Sequence, residues 1–570
     1  MTHPAALPDW FERTRDLALT LTGWPSVTGT PGETAFAGRL QAEVRSWPGF
    51  AGRAADVWLG PARSGHGAWN LYALVRGQGA RTVLLSGHYD TVGTEDYGEW
   101  QPLAGDARAL AEQMRRCLAG AGEGLGAAER LALADLESGE FLPGRGLLDM
   151  KGGLAAGLAV LERYSALPED RRPGHLLLVA TPDEEGRSCG ARGVAHELPS
   201  LARDLGLEIV AGLNLDATAD TGGGEEGRAV YLGTVGKVLL SALVVGRPAH
   251  AASPFDGVSA SLLAAEFLRR VEAAPDLAES VGPERAAPPV CLEVRDGRAA
   301  YDVTSPAWVW CALNVLTLRR TPSEVLALFA GVAREVAGQV ADDFARRAAA
   351  AGSPNAPRLG QRPADVLTFG DLRLRAEARA GRAAVEAVLG RCPPGPDPLR
   401  ASREITVALL GLAGLEGPAI ILGFGALHYP SSHLGDGPAD LALREAVERR
   451  ARELAAETGQ SLRVRGYFGG ISDMSFLGQG ADPREGACLS AHTPHPAHVD
   501  PVPEGALEFP VVNIGPWGRD YHQRLERIHA PYAFQTVPEL LWRVASDLLA
   551  PPHLALPLAE PLAEAWCSTD

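Results

Sequence analysis

Three things are scarce in this 570-residue chain: closely spaced cysteines, long apolar runs and clustered basic residues. Its seven cysteines, at 117, 189, 291, 311, 392, 488 and 567, include no C-x-x-C pair. An odd, dispersed set argues against a disulfide framework or a thiolate metal site, and for reduced thiols in the cytoplasm. No stretch approaches the ~20 apolar residues of a membrane span. The N-terminal MTHPAALPDWFERTRDLALTLTGWPS carries charges throughout and has no signal-like apolar core. No Lys/Arg run offsets the net charge of -17, so neither nucleic acid nor an anionic membrane is an expected partner. A small organic substrate fits better.

What the sequence does contain is a repeated pairing of apolar runs with helical patterns, the signature of an α/β fold with a mainly parallel sheet. After an amphipathic helix at 9–22, the clearest strand-like runs are 82–86 (TVLLS), 175–181 (HLLLVAT), 209–215 (IVAGLNL) and 511–514 (VVNI). Residues 103–137, rich in Ala, Leu and charge, read as a helical insertion. The pattern changes after the Gly/acid loop TGGGEEGR to strand, helix, strands, long helix, strand. That order predicts a catalytic domain in two parts, 1–232 and 376–570, with a small α+β domain, 233–375, inserted between them.

Each of the four strand-like runs ends in a potential metal ligand. TVLLSG leads to His88 and Asp90, HLLLVATPD to Glu184 and Glu185, IVAGLNL to Asp216, and VVNIGPWGRDY to His522. Open α/β sheets bind ligands beyond the carboxyl ends of their strands, so these runs deliver imidazoles and carboxylates to one edge. Asp149, in GRGLLDMKGGLAAGLAVLERY, opens a helix, and Gly152 and Gly153 allow that backbone a close approach. Singly, each residue has an ordinary explanation: an Asp at a helix start is usually a cap, an adjacent Glu pair usually solvated. Together they would repel one another without cations. Two His and at least three carboxylates, with no Cys, suit zinc, or cobalt or manganese. Five ligands exceed the need of one catalytic ion; if Asp149 bridges, each of two cations gains one His and one further carboxylate. Asp90 is placed to hold the far nitrogen of His88. Glu184 and Glu185 diverge as chain neighbours, which assigns Glu185 to metal and Glu184 to acid–base work.

The motifs SGHYDTV, GRGLLDMKGG, TPDEEGRSCGARG, NLDA and GPWGRDYH, in this order, resemble the aminoacylase and glutamate-carboxypeptidase family of di-zinc metallopeptidases over roughly residues 80–530. GPAIILGFGALHYPSSH, GGISDMSF and VVNIGPWGRDYH look most like its arginine-utilisation (RocB-type) branch. The resemblance implies a phosphorylase/hydrolase-like three-layer catalytic domain and an inserted ferredoxin-like lid that often dimerises. It implies that His88 and Asp216 hold one metal and Glu185 and His522 the other, with Asp149 bridging and Glu184 as general base. It places polarisation of the scissile carbonyl on His250, within GRPAHAASPFDGVSA. His522, with Glu526 four residues on, fits the last ligand better than His492, which leaves His492, His495 and His498 as a solvated loop. Two substrate-gripping arginines of the family are absent: Leu316 stands near the place of one, ahead of Arg319 and Arg320, and Ser475 replaces the other.

The expected function is hydrolysis of an amide bond, of peptide or N-acyl amino acid type, through a metal-bridging water, in amino-acid or arginine catabolism. A non-catalytic binding protein that keeps the fold is the alternative, and the retained Glu184 argues against it. A nucleotide-binding loop at Gly222, Gly224 and Gly227 is disfavoured because it precedes a strand-like run, not a helix.

Overall fold

The computed structural model describes residues 10–550, apart from 64, 221–226, 299, 357–361 and 391–396. Most of the Gly222–Gly227 loop, Cys392 and Cys567 therefore lie outside the described residues. The five described cysteines are free thiols. No helix among the described residues is long and apolar enough to cross a membrane.

The chain forms two compact units. The first comprises Met1–Val230, Leu434–Val464 and Phe509–Asp570; the second comprises Tyr231–His433 and Arg465–Glu508. The first is built on a sheet whose main strands are β1 (Val57–Pro61), β2 (Trp69–Val75), β3 (Arg81–His88), β4 (His175–Thr181), β5 (Glu208–Asn214) and β6 (Val511–Asn513). They lie in the order β1-β2-β4-β3-β5-β6, extended by two short strands to eight. From β4 to β6 every pairing is parallel, while β1 and β2 add an antiparallel edge. Strand β4 is buried along its whole length, and β3 along all but its first residue. Burial on both faces explains why these runs are continuously apolar rather than alternating.

The helices used below are α1 (Phe11–Thr22), α2 (Pro31–Arg45), α3 (Ala107–Ala121), α4 (Ala127–Ser138), α5 (Gly152–Ala166) and α6 (Cys189–Leu205). Helix α5 packs against β3 and β4, and α2 and α6 against β2. The expected helical insertion forms α3 and α4, joined through their own apolar cluster around Leu110, Met114 and Leu136. Helix α5 is apolar almost all round and lies close to the strand end. A Cβ at Gly153 would stand 2.0 Å from the carbonyl oxygen of Leu215, the residue before Asp216. Only glycine permits that approach.

The second unit is an α+β layer with a five-stranded sheet in the order 290–296, 308–317, 236–245, 419–424, 365–368. Helices Ala260–Val271 and Pro322–Ala350 pack on it, the latter opened by a capping box between Thr321 and Glu324. The division differs from that expected at 233–375. The strand Ala419–Phe424, expected in the catalytic domain, pairs antiparallel with Gly236–Val245 and lies between it and Asp365–Thr368. Its six residues are all buried, so it forms the inside of this sheet and extends the unit to His433.

His495 and His498, expected to be solvated, are buried at 4% exposure each in the second unit, with ring centroids 4.9 Å apart. His492 is half-buried and accepts the Gly370 N–H on Nδ1 at 3.2 Å. Proline spacing marks a loop but carries no information on whether that loop is covered.

Candidate dinuclear metal centre

The carboxyl ends of β3, β4 and β5, the turn before α5 and the loop after β6 meet in the first unit. His88 is the last residue of β3 and is 1% exposed. Its Nε2 lies 3.1 Å from Asp149 Oδ1, 3.8 Å from Asp216 Oδ1 and 3.9 Å from Glu184 Oε2. His522 Nε2 lies 3.2 Å from Asp149 Oδ2 and 2.8 Å from Glu185 Oε1. Two groups result, His88–Asp149–Asp216 and Asp149–Glu185–His522, each with ligand atoms within 4.8 Å of one another. Asp149 belongs to both and turns one oxygen to each histidine. All five residues selected from the sequence as metal ligands are brought together here.

The chemistry of this set fits divalent cations. Glu185 Oε1 is buried against His522 Nε2 at 2.8 Å. Among the described residues, no Lys or Arg forms an ion pair with Asp149, Glu185 or Asp216, whose ion-pair partners are the two histidines. Buried carboxylates arranged in this way are held by metal or by borrowed protons. The protein alone borrows protons. Burial opposes charge on His88, yet Asp149, Asp216 and Asp90 together hold its pKa well above the imidazole range. Burial likewise acts against the charged form of His522, but Asp149 and Glu185 outweigh it and push the pKa up to about 10. Burial raises the Glu185 carboxyl.

Neighbouring residues fix this geometry: Asp90 and Glu526, which the sequence marked, and Thr28, Asn513 and Arg145, which it did not. The Asp90 carboxylate accepts the Glu184 N–H at 3.1 Å, the Glu185 N–H at 3.2 Å and the Thr28 hydroxyl at 2.7 Å. It therefore ties the β4 loop to the β3 end. Its hold on His88 is looser than expected: Nδ1 is 3.1 Å from the Asp90 carbonyl oxygen and 3.5 Å from the carboxylate. Asn513 of β6 clamps Asp216 from both sides, accepting its N–H at 2.9 Å and donating to its carbonyl at 2.8 Å. Glu526 is fully buried, accepts the Gly146 N–H at 2.9 Å and pairs with Arg145 at 2.6 Å, which joins the His522 loop to the turn carrying Asp149. Burial pushes the Glu526 carboxyl up to about 7. The signal for Arg145 was its place in GRGLLD; nothing local marks Thr28 or Asn513. Lys151 is also drawn in, 1% exposed, its ammonium pushed down to about 7 by burial.

Sequence reading also passed over Gly186-Arg-Ser188-Cys-Gly190, which has G-x-S-x-G spacing and a left-handed Ser188 at φ 50. A nucleophile elbow needs an exposed hydroxyl beside a histidine. Ser188 is fully buried and its hydroxyl has no hydrogen-bond partner, so it is not a nucleophile.

His250 belongs to the second unit. It is exposed there, and its Nδ1 accepts the Ala252 N–H at 3.1 Å. Ser475, standing where the family arginine is missing, is fully buried. Leu316 lies opposite Lys237 in the sheet, and the backbone N–H groups of Arg319 and Arg320 are held by Glu279.

Carboxylates and two histidines gathered at the end of a parallel sheet have the ligand make-up of a two-metal hydrolytic site. The chain belongs to peptidase family M20/M25/M40, whose model matches residues 127–507. It is 31% identical to the protein YqjN of Bacillus subtilis over 95% of this chain and 97% of that one. It is 27% identical to the Bacillus subtilis protein RocB over 97% of this chain and 98% of that one. The fold matches the crystal structure of the aminopeptidase PepT from Bacillus cereus at a TM-score of 0.50 and 15% identity, over 95% of this chain and 99% of that one. The protein is a hydrolase acting on amide bonds, in the RocB-type branch of its family.

The raised histidines give a testable sign. Below a pH of about 10, His522 carries a proton in the metal-free protein, and a cation must displace it. Metal affinity therefore falls as pH falls below that value. Calorimetric titration of metal into chelator-treated protein at pH 7, repeated in buffers of different ionisation enthalpy, should show release of at least one proton. Heats independent of buffer would contradict this.

Proposed function

We propose that this protein hydrolyses the amide bond of a small peptide or N-acyl amino acid by attack of water, at a site whose side chains would hold two cations, most suitably zinc. The observation that carries this reading is Asp149, whose two oxygens address two different histidines. His88 and Asp216 would hold one cation, Glu185 and His522 the other, with Asp149 shared. Such a pair supplies Lewis-acid polarisation and lowers the pKa of water.

The remaining steps belong to side chains. Glu184 faces the same space as the ligands, 3.9 Å from His88, and its main chain is fixed by Asp90. It takes a proton from the attacking water and returns it to the leaving amine. The family resemblance supports His250, exposed on the second unit, as the group that polarises the scissile carbonyl. Without the two family arginines, a substrate carboxylate is not gripped in the usual way, so the substrate differs from those of the common aminoacylases. The RocB-type resemblance supports a place in amino-acid catabolism, arginine utilisation included, in the cytoplasm.

The test is Glu184→Gln in metal-loaded protein, assayed beside wild type on N-acyl amino acids, dipeptides and ureido compounds. The expected result is a fall in kcat of about 10²–10⁴-fold with metal content unchanged. Wild-type inertness on the whole panel, or a variant as active as wild type, would contradict the assignment.

A homodimer through the second unit is part of the same proposal. Among the described residues its edge strand Val290–Asp296 pairs on one side only, and it exposes Val290, Leu292 and Val294, at 41%, 55% and 53%. An uncovered apolar edge of this kind favours pairing with another strand. Light scattering should give twice the chain mass for wild type and a smaller species for Leu292→Arg; a monomeric wild type would refute it.

A further inference from the structure

Glu33 is a buried carboxyl group that takes no part in the ligand set. It is 0% exposed, in the first turn of α2. Its Oε2 accepts the Gly29 N–H at 2.6 Å and faces His66 Nε2 at 2.7 Å, while Oε1 is buried without a partner. Among the described residues its one ion-pair partner is His66. Burial and the charge of Asp90 push the carboxyl up to about 7; the Gly29 N–H and His66 oppose this, and Asp183 adds to it. A Glu at this position of a helix ordinarily reaches back to the N-cap N–H at the surface. Glu33 reaches one residue further, and burying it near other carboxylates costs stability.

What it holds is the loop 26–30, which runs beside the end of β3. The Thr28 N–H donates to the Thr91 carbonyl at 3.0 Å, the Thr91 N–H to the Ser26 carbonyl at 3.1 Å, and the Ser26 hydroxyl to the Tyr89 carbonyl at 2.6 Å. The Thr28 hydroxyl donates to Asp90 Oδ2 at 2.7 Å, the same oxygen that accepts the Glu185 N–H at 3.2 Å. Thr28 also packs on the turn after Glu185, for a Cβ at Gly186 would stand 3.3 Å from Thr28 Cγ2. One chain of contacts therefore runs from His66 through Glu33, Gly29, Thr28 and Asp90 to the main chain of Glu184 and Glu185. All of it lies within the first unit, and His66, its outer end, is 27% exposed.

We infer that Glu33 and His66 are positioning residues for the metal centre, holding the loop 26–30 so that Thr28 fixes Asp90 and, through it, the segment bearing Glu184 and Glu185. This rests on the two-cation site proposed above. Groups standing behind metal ligands orient them, and their loss typically costs about 10–100-fold in metal affinity. Neither His66 nor Thr28 is itself a ligand.

Zinc affinity of the full chain, measured by competition with a chromophoric chelator, tests this without any substrate. His66→Leu and Thr28→Val should each weaken the binding of at least one zinc ion about tenfold. His66→Gln, which keeps a nitrogen able to bond Glu33 Oε2, should bind as wild type does. The double variant Thr28→Val with His66→Leu should bind no more weakly than Thr28→Val, because residues acting through one chain of contacts do not lose affinity independently. Wild-type affinity in His66→Leu, losses that multiply in the double variant, or a glutamine variant as weak as the leucine one would overturn the inference while leaving the two-cation site standing. A wild type that binds no zinc would overturn that site, and this inference with it.

Discussion

The structure depends on one carboxylate shared between two histidines. Asp149 sits in the turn before α5, with Oδ1 toward His88 and Oδ2 toward His522. Glu184, Glu185 and Asp216 crowd the same space, and the mutual repulsion of such a cluster must be met by positive charge. Protonated histidines meet it in the protein alone; a pair of divalent cations meets it with far greater charge density. The parallel sheet is what makes this concentration affordable, because three adjacent strands, β4, β3 and β5, release their polar residues at the same edge.

Around that carboxylate lies a set of fixed main-chain anchors. Asp90 secures the β4 loop, Asn513 secures Asp216, and the Arg145–Glu526 pair links the Asp149 turn to the segment bearing His522. Each anchor joins segments distant in sequence, so ligand positions are set by the fold as a whole rather than by local loops. His522 itself has a left-handed backbone at φ 62, a conformation uncommon outside glycine and typical of residues held in place for function.

Much of this was legible in the sequence because buried parallel strands leave an unmistakable trace: a run of apolar residues, then the ligand. His88, Glu185, Asp216 and His522 all follow such runs, and Asp149 stands before the glycine-opened helix that reaches Leu215. Of the anchors, Asp90 and Glu526 were legible, but Thr28 and Asn513 were not, since they are ordinary residues whose meaning comes from what crosses to meet them. Unit boundaries failed for a related reason. The run Ala419–Phe424 reads as a buried strand from composition alone, but which sheet it joins is decided by its pairing with Gly236–Val245. Ser188 shows the converse: motif spacing was present, and burial removed its chemistry.

The most direct test is anomalous diffraction from crystals of the zinc-loaded protein. The account predicts two peaks roughly 3.5–4 Å apart, flanking Asp149, one against His88 and Asp216 and the other against Glu185 and His522. A single ion, or ions bound away from Asp149, would contradict it.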